Sequence, residues 1–208
     1  TVGQPIPGLQ IRLGDMEELQ VKGPTVMKGY WKRPDATAEV FTEDGWFKTG
    51  DQADLSDAGR IRIKGRIKEI IVTSTGEKIP PTDMELAIQT DPLFEQVMVV
   101  GEARPFITAL AVVNEAEWEK FAKEFNVDPT DERMLMRRDI RMAALKRLKK
   151  AASRFPQYGI PRNIRLLKEH WTVDNGCLTV TMKLRRPIIR EKLRAEIDEL
   201  YTVPQNNV

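Results

Sequence analysis

Three short segments each place one charged side chain where it could bind or activate a substrate. In the first, 44–51, an aromatic strand is followed by Thr49, Gly50 and Asp51, so we expect the carboxylate to lie at a tight, exposed turn. A carboxylate in that position can accept hydrogen bonds from two vicinal hydroxyls, as the recognition of a ribose requires. The alternative is a hairpin in which glycine and aspartate serve only the backbone of the turn.

The other two segments each offer a basic side chain. Arg66 follows Gly65 in a run of alternating basic and apolar residues, and its planar fork of donors suits a phosphate or a ribose. The alternative for Arg66 is a solvated basic strand edge, which discourages aggregation. Lys183 lies in the threonine-containing segment 178–187, where a lysine can offset a developing negative charge. The alternative for Lys183 is an ordinary basic run before a helix.

The elements that must position these residues change in character near residue 66. Up to that point glycine, proline and short period-2 runs predict small β-structure with one helix. Beyond it, β-branched runs mix with helical patterns, so we predict an α+β fold whose second part is a small α/β domain. The predicted strands are 11–13, 19–21, 61–63, 70–73, 97–100, 108–113 and 164–167. The predicted helices are 36–41, 84–88 with a cap in 80–83, one after Asn114, 131–155 and 187–200.

Composition excludes several classes of protein. The 208 residues include 33 Lys and Arg, 31 Asp and Glu, one Cys and one His, which gives a net charge of +2. A hydrophobic fraction of 41% indicates a globular chain, and a single cysteine allows no internal disulfide. We expect His170 and Cys177 to be packing or surface residues, and we expect no metal site and no membrane span.

The stretch from Arg133 to Arg154 is strongly basic. An apolar stripe through Ile140, Leu145 and Leu148 favours a packed helix with a solvated basic face. The alternatives are a nucleic-acid surface or an anionic membrane surface, and loss of vesicle binding on charge reversal of Arg137, Arg138 and Arg141 would support the membrane. By the same helical spacing, Trp118, Phe121 and Phe125 are expected in the core.

Five segments, taken in order, resemble the motifs of AMP-forming adenylating enzymes. The resemblance is closer to the long-chain fatty-acid–CoA ligases and covers nearly the whole chain. The segments are 1–13, 18–31, 45–51, 65–73 and 178–186. Their common order and spacing are far more specific than any one of them alone.

The resemblance implies a role for four residues. Asp51 would bind the ribose hydroxyls of ATP, Arg66 would contact the ribose or a phosphate, and Lys68 would be the hinge of a mobile domain. Lys183 would bridge the carboxylate substrate and the α-phosphate, offsetting the repulsion between two anions. The implied reaction joins a fatty acid to AMP with ATP and Mg²⁺, and then transfers the acyl group to CoA after a domain rotation.

One position departs from the family pattern. A glycine that lines the pantetheine channel is expected nine residues after Arg66, where this chain has Thr75, followed by Gly76. Either Gly76 takes that role or the channel differs. The alternatives are therefore a fatty acyl-AMP ligase that passes its product to a carrier protein, or a non-catalytic binding module.

The resemblance also implies segments that the sequence does not contain. The phosphate-gripping loop and the Tyr-Gly-x-Thr-Glu segment, whose glutamate holds Mg²⁺, would precede Thr1, so we expect the chain to be cut from a longer protein. Residues 1–66 would then be a β-rich remnant of the large domain and 67–208 the mobile domain, with the missing N-terminal domain as partner. We expect no adenylation activity from the chain alone. We expect a cytoplasmic protein that binds no nucleic acid, with a peripheral contact at the inner membrane face left open.

Overall fold

A computed structural model describes residues 1–57 and 59–202, which form two compact units. The first unit is Thr1–Ile70 and the second begins at Ile71. Both units combine strands with helices, so the predicted α+β class is confirmed.

The first unit is built on a four-stranded antiparallel sheet in the order β1-β2-β3-β4. Its strands are β1 Gln10–Leu13, β2 Glu18–Lys22, β3 Phe47–Asp57 and β4 Arg60–Arg66, and its helix is α1 Pro34–Val40. A small cluster of buried side chains, Leu19, Ala53 and Ile61, lies on one face of this sheet. The alternating apolar residues that predicted strands in this region supply that cluster.

The second unit contains a two-stranded and a three-stranded sheet. In the larger sheet the central strand β8 is antiparallel to β7 and parallel to β9. The elements are β5 Ile71–Val72, β6 Lys78–Ile79, α2 Pro81–Ile88, β7 Phe94–Val100, β8 Thr108–Val113, α3 Glu115–Glu124, α4 Arg138–Ala151, β9 Asn163–Leu167, α5 Arg186–Lys192 and α6 Arg194–Thr202.

Both faces of the larger sheet are covered. Val97, Val99 and Ile164 face a core shared with α2, α3 and α4, which contains Trp118 and Phe121. As predicted, Trp118 and Phe121 are buried, and Phe125 packs partly buried against the same core. Alternate residues of β7 and β8 face a second core, formed by Trp171, Cys177, Leu178, α5 and α6.

Three predicted helices were wrong in detail. The helix predicted over 131–155 is a 3-10 turn, Glu132–Met136, followed by α4, because Arg137 between them has an extended backbone that lets both Leu135 and Ile140 reach the core. The helix predicted over 187–200 divides at Leu193 into α5 and α6. Helix α2 begins at Pro81, so the cap predicted within 80–83 is Pro80, whose side chain makes no capping bond in the described structure.

Candidate functional site

Asp51 lies in a bulge of strand β3. Strand β2 pairs Glu18 with Gln52 but Gln20 with Lys48, so β3 accommodates extra residues between those two pairs. Gly50 takes a φ of +72° within this bulge, a conformation that suits glycine. The prediction of a tight, exposed turn at Thr49–Asp51 was therefore wrong. The flanking residues Lys48 and Gln52 pair with β2, and Asp51 pairs with Arg66 of β4, so the segment stays in the sheet.

Side chains of the first unit hold the bulge on the β2 side. The Thr49 hydroxyl donates to the Leu19 carbonyl at 2.7 Å and accepts the Asp51 N–H at 3.1 Å. The Glu18 carboxylate accepts the Gly50 N–H through Oε1 at 3.1 Å. These bonds fix the backbone from which the Asp51 side chain extends.

A longer chain of polar contacts supports Glu18. The Gln20 amide donates to Glu18 Oε2 at 3.3 Å and accepts from Arg12 Nε at 2.8 Å. Arg12 also lies over the Trp46 ring and forms a forked ion pair with Asp44. The hydrogen bond from Arg12, with a second from Thr42, lowers the pKa of Asp44 from 3.8 to about 2.

Asp51 and Arg66 meet as cross-strand neighbours on β3 and β4. Arg66 Nε lies 3.2 Å from Asp51 Oδ1, and Arg66 Nη1 donates to the Thr49 carbonyl at 3.1 Å. Their side chains are 53% and 31% exposed, so a ligand can reach both. The pair therefore presents hydrogen-bond acceptors and fixed cationic donors together, a combination that suits a sugar carrying phosphates.

Lys68 and the pair Thr75–Gly76 lie in short connecting segments. Lys68 is exposed within the 3-10 turn Ile67–Glu69 of the first unit. In the second unit, β5 and β6 are joined by a turn in which the Gly76 N–H donates to the Thr73 carbonyl at 3.0 Å. Gly76 has a φ of +85° and Thr75 beside it is exposed, so both residues lie at an open tip.

Lys183 is exposed at the end of a short hairpin loop in the second unit. Leu178 and Leu184 pair across the base of the loop. The Thr179 N–H donates to the Lys183 carbonyl at 2.9 Å, and the Thr179 hydroxyl accepts the Lys183 N–H at 3.1 Å. We call residues 178–184 the lysine hairpin.

The base of the lysine hairpin is anchored in the protein interior. Leu178 is buried in the second core, and Leu184 packs against it. Arg186 follows the hairpin and forms a forked ion pair with Glu85, both bonds being 2.7 Å long. Glu85 is largely buried and also accepts the Val99 N–H at 2.8 Å, so the pair ties α5 to α2 and β7.

His170 and Cys177 are accounted for by packing and surface contacts, as predicted. Cys177 is buried in the second core, and His170 Nε2 lies 3.2 Å from Glu95 at the surface. Among residues 1–57 and 59–202, no cluster of three or more His, Cys, Asp or Glu side chains could hold a metal ion. No helix in the same residues is both long and apolar enough to cross a membrane.

The basic stretch forms a packed helix with a charged outer face, as predicted. Ile140, Ala144, Leu145 and Leu148 of α4 are buried. Several of its cations are engaged within the protein, since Arg137 pairs with Asp139, Arg147 pairs with Asp91 and Arg141 donates to Asn163. The cations left on the outer face of α4 are Arg138, Lys146, Lys149 and Lys150.

The sequence predicts Asp51, Arg66 and Lys183 as candidate residues but does not reveal the contacts that support them. Thr49 and Glu18 lie within the motif segments 45–51 and 18–31, but neither these two residues nor Glu85 was assigned a supporting role. Only the pairing of β2 with β3, and of α5 with α2, brings them to the candidate residues. For Lys183 the supporting residue is local. Thr179 lies four residues earlier, and a threonine hydroxyl commonly accepts a nearby backbone N–H.

Comparison with known families identifies the second unit. Residues 68–204 match the family described as AMP-binding enzyme C-terminal domain. The chain belongs to this family. The curated relatives also share the region before residue 68, because they align with 97% of this chain.

Curated relatives include fatty-acid ligases with two kinds of acceptor in their names. The chain is 38% identical to the long-chain-fatty-acid–CoA ligase FadD15 of Mycobacterium tuberculosis over 209 residues, which cover 97% of this chain and 34% of that protein. It is 31% identical to the chloroplastic long-chain-fatty-acid–[acyl-carrier-protein] ligase AEE15 of Arabidopsis thaliana, covering 97% of this chain and 29% of that protein. The resemblance to long-chain fatty-acid–CoA ligases is thus confirmed, and the chain spans about a third of the length of these relatives.

Solved structures of adenylating domains share the fold. The A domain of the carboxylic acid reductase from Segniliparus rugosus, in complex with AMP and a co-purified carboxylic acid, superposes with a TM-score of 0.74 at 26% identity. The superposition covers 95% of this chain and 32% of that chain. The mixed fold of the chain is therefore that of adenylate-forming enzymes.

Proposed function

We propose that the chain supplies the C-terminal part of a long-chain fatty-acid–CoA ligase. Such an enzyme activates a fatty acid with ATP to an acyl-adenylate and then transfers the acyl group to CoA. The observation that carries the proposal is the exposed Asp51–Arg66 pair, formed by two separate motifs, in a chain 38% identical to a long-chain-fatty-acid–CoA ligase. This chain covers only 34% of that relative, so the activity of the whole enzyme is proposed here and not shown.

Asp51 and Arg66 are proposed to bind the nucleotide. The carboxylate accepts the two vicinal hydroxyls of the ribose, and the guanidinium supplies donors to the ribose or to a phosphate. Because the bulge fixes the Asp51 backbone through Thr49 and Glu18, the acceptor is already oriented before ATP arrives.

Lys183 is proposed to assist formation of the acyl-adenylate. A carboxylate oxygen of the fatty acid attacks the α-phosphorus, a new P–O bond forms, and the bond to pyrophosphate breaks. The ammonium group donates hydrogen bonds to the carboxylate and to the α-phosphate, so it offsets the repulsion between the two anions as they approach. The exposed position of Lys183 on an anchored hairpin suits a group that reaches into a substrate site.

The second half-reaction is proposed to follow a movement about Lys68. The CoA sulfur attacks the acyl carbonyl, the thiol loses its proton, and AMP leaves as the thioester forms. Gly76 is proposed to line the pantetheine channel in place of a glycine at Thr75, since Gly76 has the positive φ and lies at the open tip of its turn. The Mg²⁺ ligands are proposed to lie in the part of the longer enzyme that these 208 residues do not cover.

A carrier protein is the alternative acyl acceptor. The chain carries Thr75 where the CoA-dependent pattern has glycine, and one relative is a long-chain-fatty-acid–[acyl-carrier-protein] ligase. Adding CoA or acyl carrier protein to the full-length enzyme that holds the acyl-adenylate distinguishes the two acceptors. We expect thioester formation with CoA, and faster transfer to the carrier protein would overturn that choice.

The proposed reaction is tested by ATP–pyrophosphate exchange that depends on a long-chain fatty acid. We expect exchange by the full-length protein that the proposal implies and none by the 208-residue chain alone. Exchange by the chain alone would contradict the proposal that the phosphate loop and the Mg²⁺ ligands lie outside these 208 residues. Absence of fatty-acid-dependent exchange in the full-length protein would contradict the proposed function.

The outer face of α4 is proposed to contact an anionic membrane at its cytoplasmic side. Arg138, Lys146, Lys149 and Lys150 lie exposed on that face, whereas Arg137 and Arg141 are engaged within the protein. We expect charge reversal of Lys146 and Lys149 to Glu to abolish binding to phosphatidylserine vesicles. Reversal of Lys120 and Lys123 on α3 is the control, and equal loss in both variants would indicate only a net-charge effect.

A further inference from the structure

The backbone of Lys183 is held on both sides by one residue, Thr179. The Thr179 N–H donates to the Lys183 carbonyl at 2.9 Å, and the Thr179 hydroxyl accepts the Lys183 N–H at 3.1 Å. The same hydroxyl lies 3.0 Å from the Thr181 hydroxyl. A hydroxyl can donate one hydrogen bond and accept two, so the Thr179 hydroxyl can make both of its contacts together.

The loop between these two residues has a conformation that its sequence does not favour. The Met182 N–H donates to the Thr179 carbonyl at 2.8 Å, which closes a turn through Val180 and Thr181. Met182 then takes a φ of +61°, in a position of three-residue hairpin loops where glycine is usual. A non-glycine residue in this region is disfavoured, so surrounding contacts must hold the loop in its shape.

Thr179 connects Lys183 to the protein interior. Leu178, which precedes it, is 4% exposed within the second core. On the other strand, Leu184 packs against that core and the Arg185 N–H donates to the Cys177 carbonyl at 2.8 Å. The side chain of Lys183 is long and flexible, so the position of its Cα determines which points the ammonium group can reach.

We propose that Thr179 is a positioning residue for Lys183. Its hydroxyl fixes the Lys183 backbone at the hairpin tip, so that the ammonium group reaches the reacting carboxylate and α-phosphate. The inference rests on the proposed role of Lys183 in adenylation. Because Lys183 is proposed to act in acyl-adenylate formation and not in thioester formation, the Thr179 hydroxyl should affect the first half-reaction alone.

Three variants of the full-length enzyme test this role. Thr179→Val removes the hydroxyl with little change in shape, Thr179→Ser keeps the hydroxyl, and Val180→Thr is a matched change at an exposed neighbour in the same loop. The rate of acyl-adenylate formation is measured by pyrophosphate release. The rate of thioester formation is measured separately from supplied acyl-adenylate and CoA.

We expect Thr179→Val to slow acyl-adenylate formation about fivefold to tenfold, the loss typical of one hydrogen bond, through kcat rather than the KM for ATP. Thioester formation should stay unchanged, Thr179→Ser should restore most of the rate, and Val180→Thr should match the wild type. The positioning role is overturned if Thr179→Val keeps the wild-type rate, if both half-reactions slow equally, or if Thr179→Ser is as slow as Thr179→Val.

Lys183→Ala in the same assay separates this inference from the function on which it rests. If Lys183→Ala abolishes acyl-adenylate formation and Thr179→Val leaves it intact, only the role of Thr179 is wrong. If Lys183→Ala leaves acyl-adenylate formation intact, the proposed role of Lys183 fails and the role of Thr179 fails with it.

Discussion

The bulge that carries Asp51 and the hairpin that carries Lys183 are supported in different ways. The bulge lies inside a four-stranded sheet and is held by side chains that converge on its backbone, chiefly Thr49 and Glu18. The hairpin extends from a buried core, and at its tip a single threonine holds the lysine backbone. Several side chains hold the bulge, whereas the hairpin is held at its base by the core and beyond the base by Thr179.

This difference fits two different tasks. A group that recognises a ribose gains from an orientation that is set in advance, and a sheet with cross-strand bonds provides that. A lysine that serves only one of two half-reactions must enter and leave a site as a unit, and a short hairpin on a compact core can do so. The comparison predicts that damage to the bulge affects nucleotide binding, whereas damage to the hairpin affects one chemical step.

Breaking the buried ion pair behind the hairpin should give the largest loss of stability. Glu85→Ala removes the forked ion pair with Arg186 and the acceptor of the Val99 N–H, which should cost about 3–5 kcal/mol of unfolding free energy. Urea denaturation of the 208-residue chain measures this loss. Glu119→Ala, at an exposed carboxylate of α3, is the control, and a similar small loss for both variants would contradict the anchoring role of Glu85.

Removing the ribose acceptor should weaken nucleotide binding next most strongly. Asp51→Ala in the full-length enzyme should raise the KM for ATP at least about tenfold, because hydrogen bonds to a charged group are lost. Comparison with 2′-deoxy-ATP sharpens the test, since the deoxy analogue should be penalised in the wild type but less in the variant. An equal penalty in both proteins would show that Asp51 does not contact the 2′-hydroxyl.

Loosening the bulge without touching the proposed ligand contact should have a smaller effect. Glu18→Ala removes the acceptor of the Gly50 N–H, so we expect about a fivefold rise in the KM for ATP with little change in kcat. Glu18→Gln keeps one carbonyl oxygen and should lie between that variant and the wild type. A change in kcat alone would contradict the assignment of the bulge to nucleotide binding and of the hairpin to a chemical step.

The smallest effect is expected at the far end of the network that supports Glu18. The pKa of Asp44 is lowered from 3.8 to about 2, so its contact with Arg12 stabilises the folded chain above about pH 4 and is lost as the pH falls towards 2. Carboxyl chemical shifts in an NMR titration measure this pKa directly. Arg12→Ala should return the pKa of Asp44 towards 3.8, and an unchanged value would show that Thr42 is the main cause.

The sequence predicted the strands of the first unit but not the bulge within them. Period-2 apolar runs located β1, β2 and β4, because the pattern of one strand is local. Gly50 and Asp51 are turn-forming residues, and only the pairing of β3 with β2 and β4 keeps them in the sheet. Bulges depend on the partner strand, so the sequence of β3 alone could not reveal one.

The same limit applies to the second unit. The apolar pattern around Ile140 predicted a packed helix, but the break at Arg137 follows from the burial of Leu135, which is a tertiary effect. Motif order and spacing made Lys183 a candidate, whereas Glu85, which anchors the hairpin, lies 101 residues from Arg186 along the chain. Candidate residues were thus predictable from motifs, while the residues that hold them depended on contacts between distant segments.

The central claim is that the lysine hairpin serves acyl-adenylate formation alone. Its most direct test is to measure both half-reactions of the full-length enzyme with Lys183→Ala, using Lys123→Ala on α3 as the control. We predict that Lys183→Ala slows acyl-adenylate formation at least about 100-fold, a loss typical of removing one stabilising donor, while supplied acyl-adenylate is converted to thioester at the wild-type rate. An equal loss of both half-reactions, or an unchanged rate of acyl-adenylate formation, would contradict the claim.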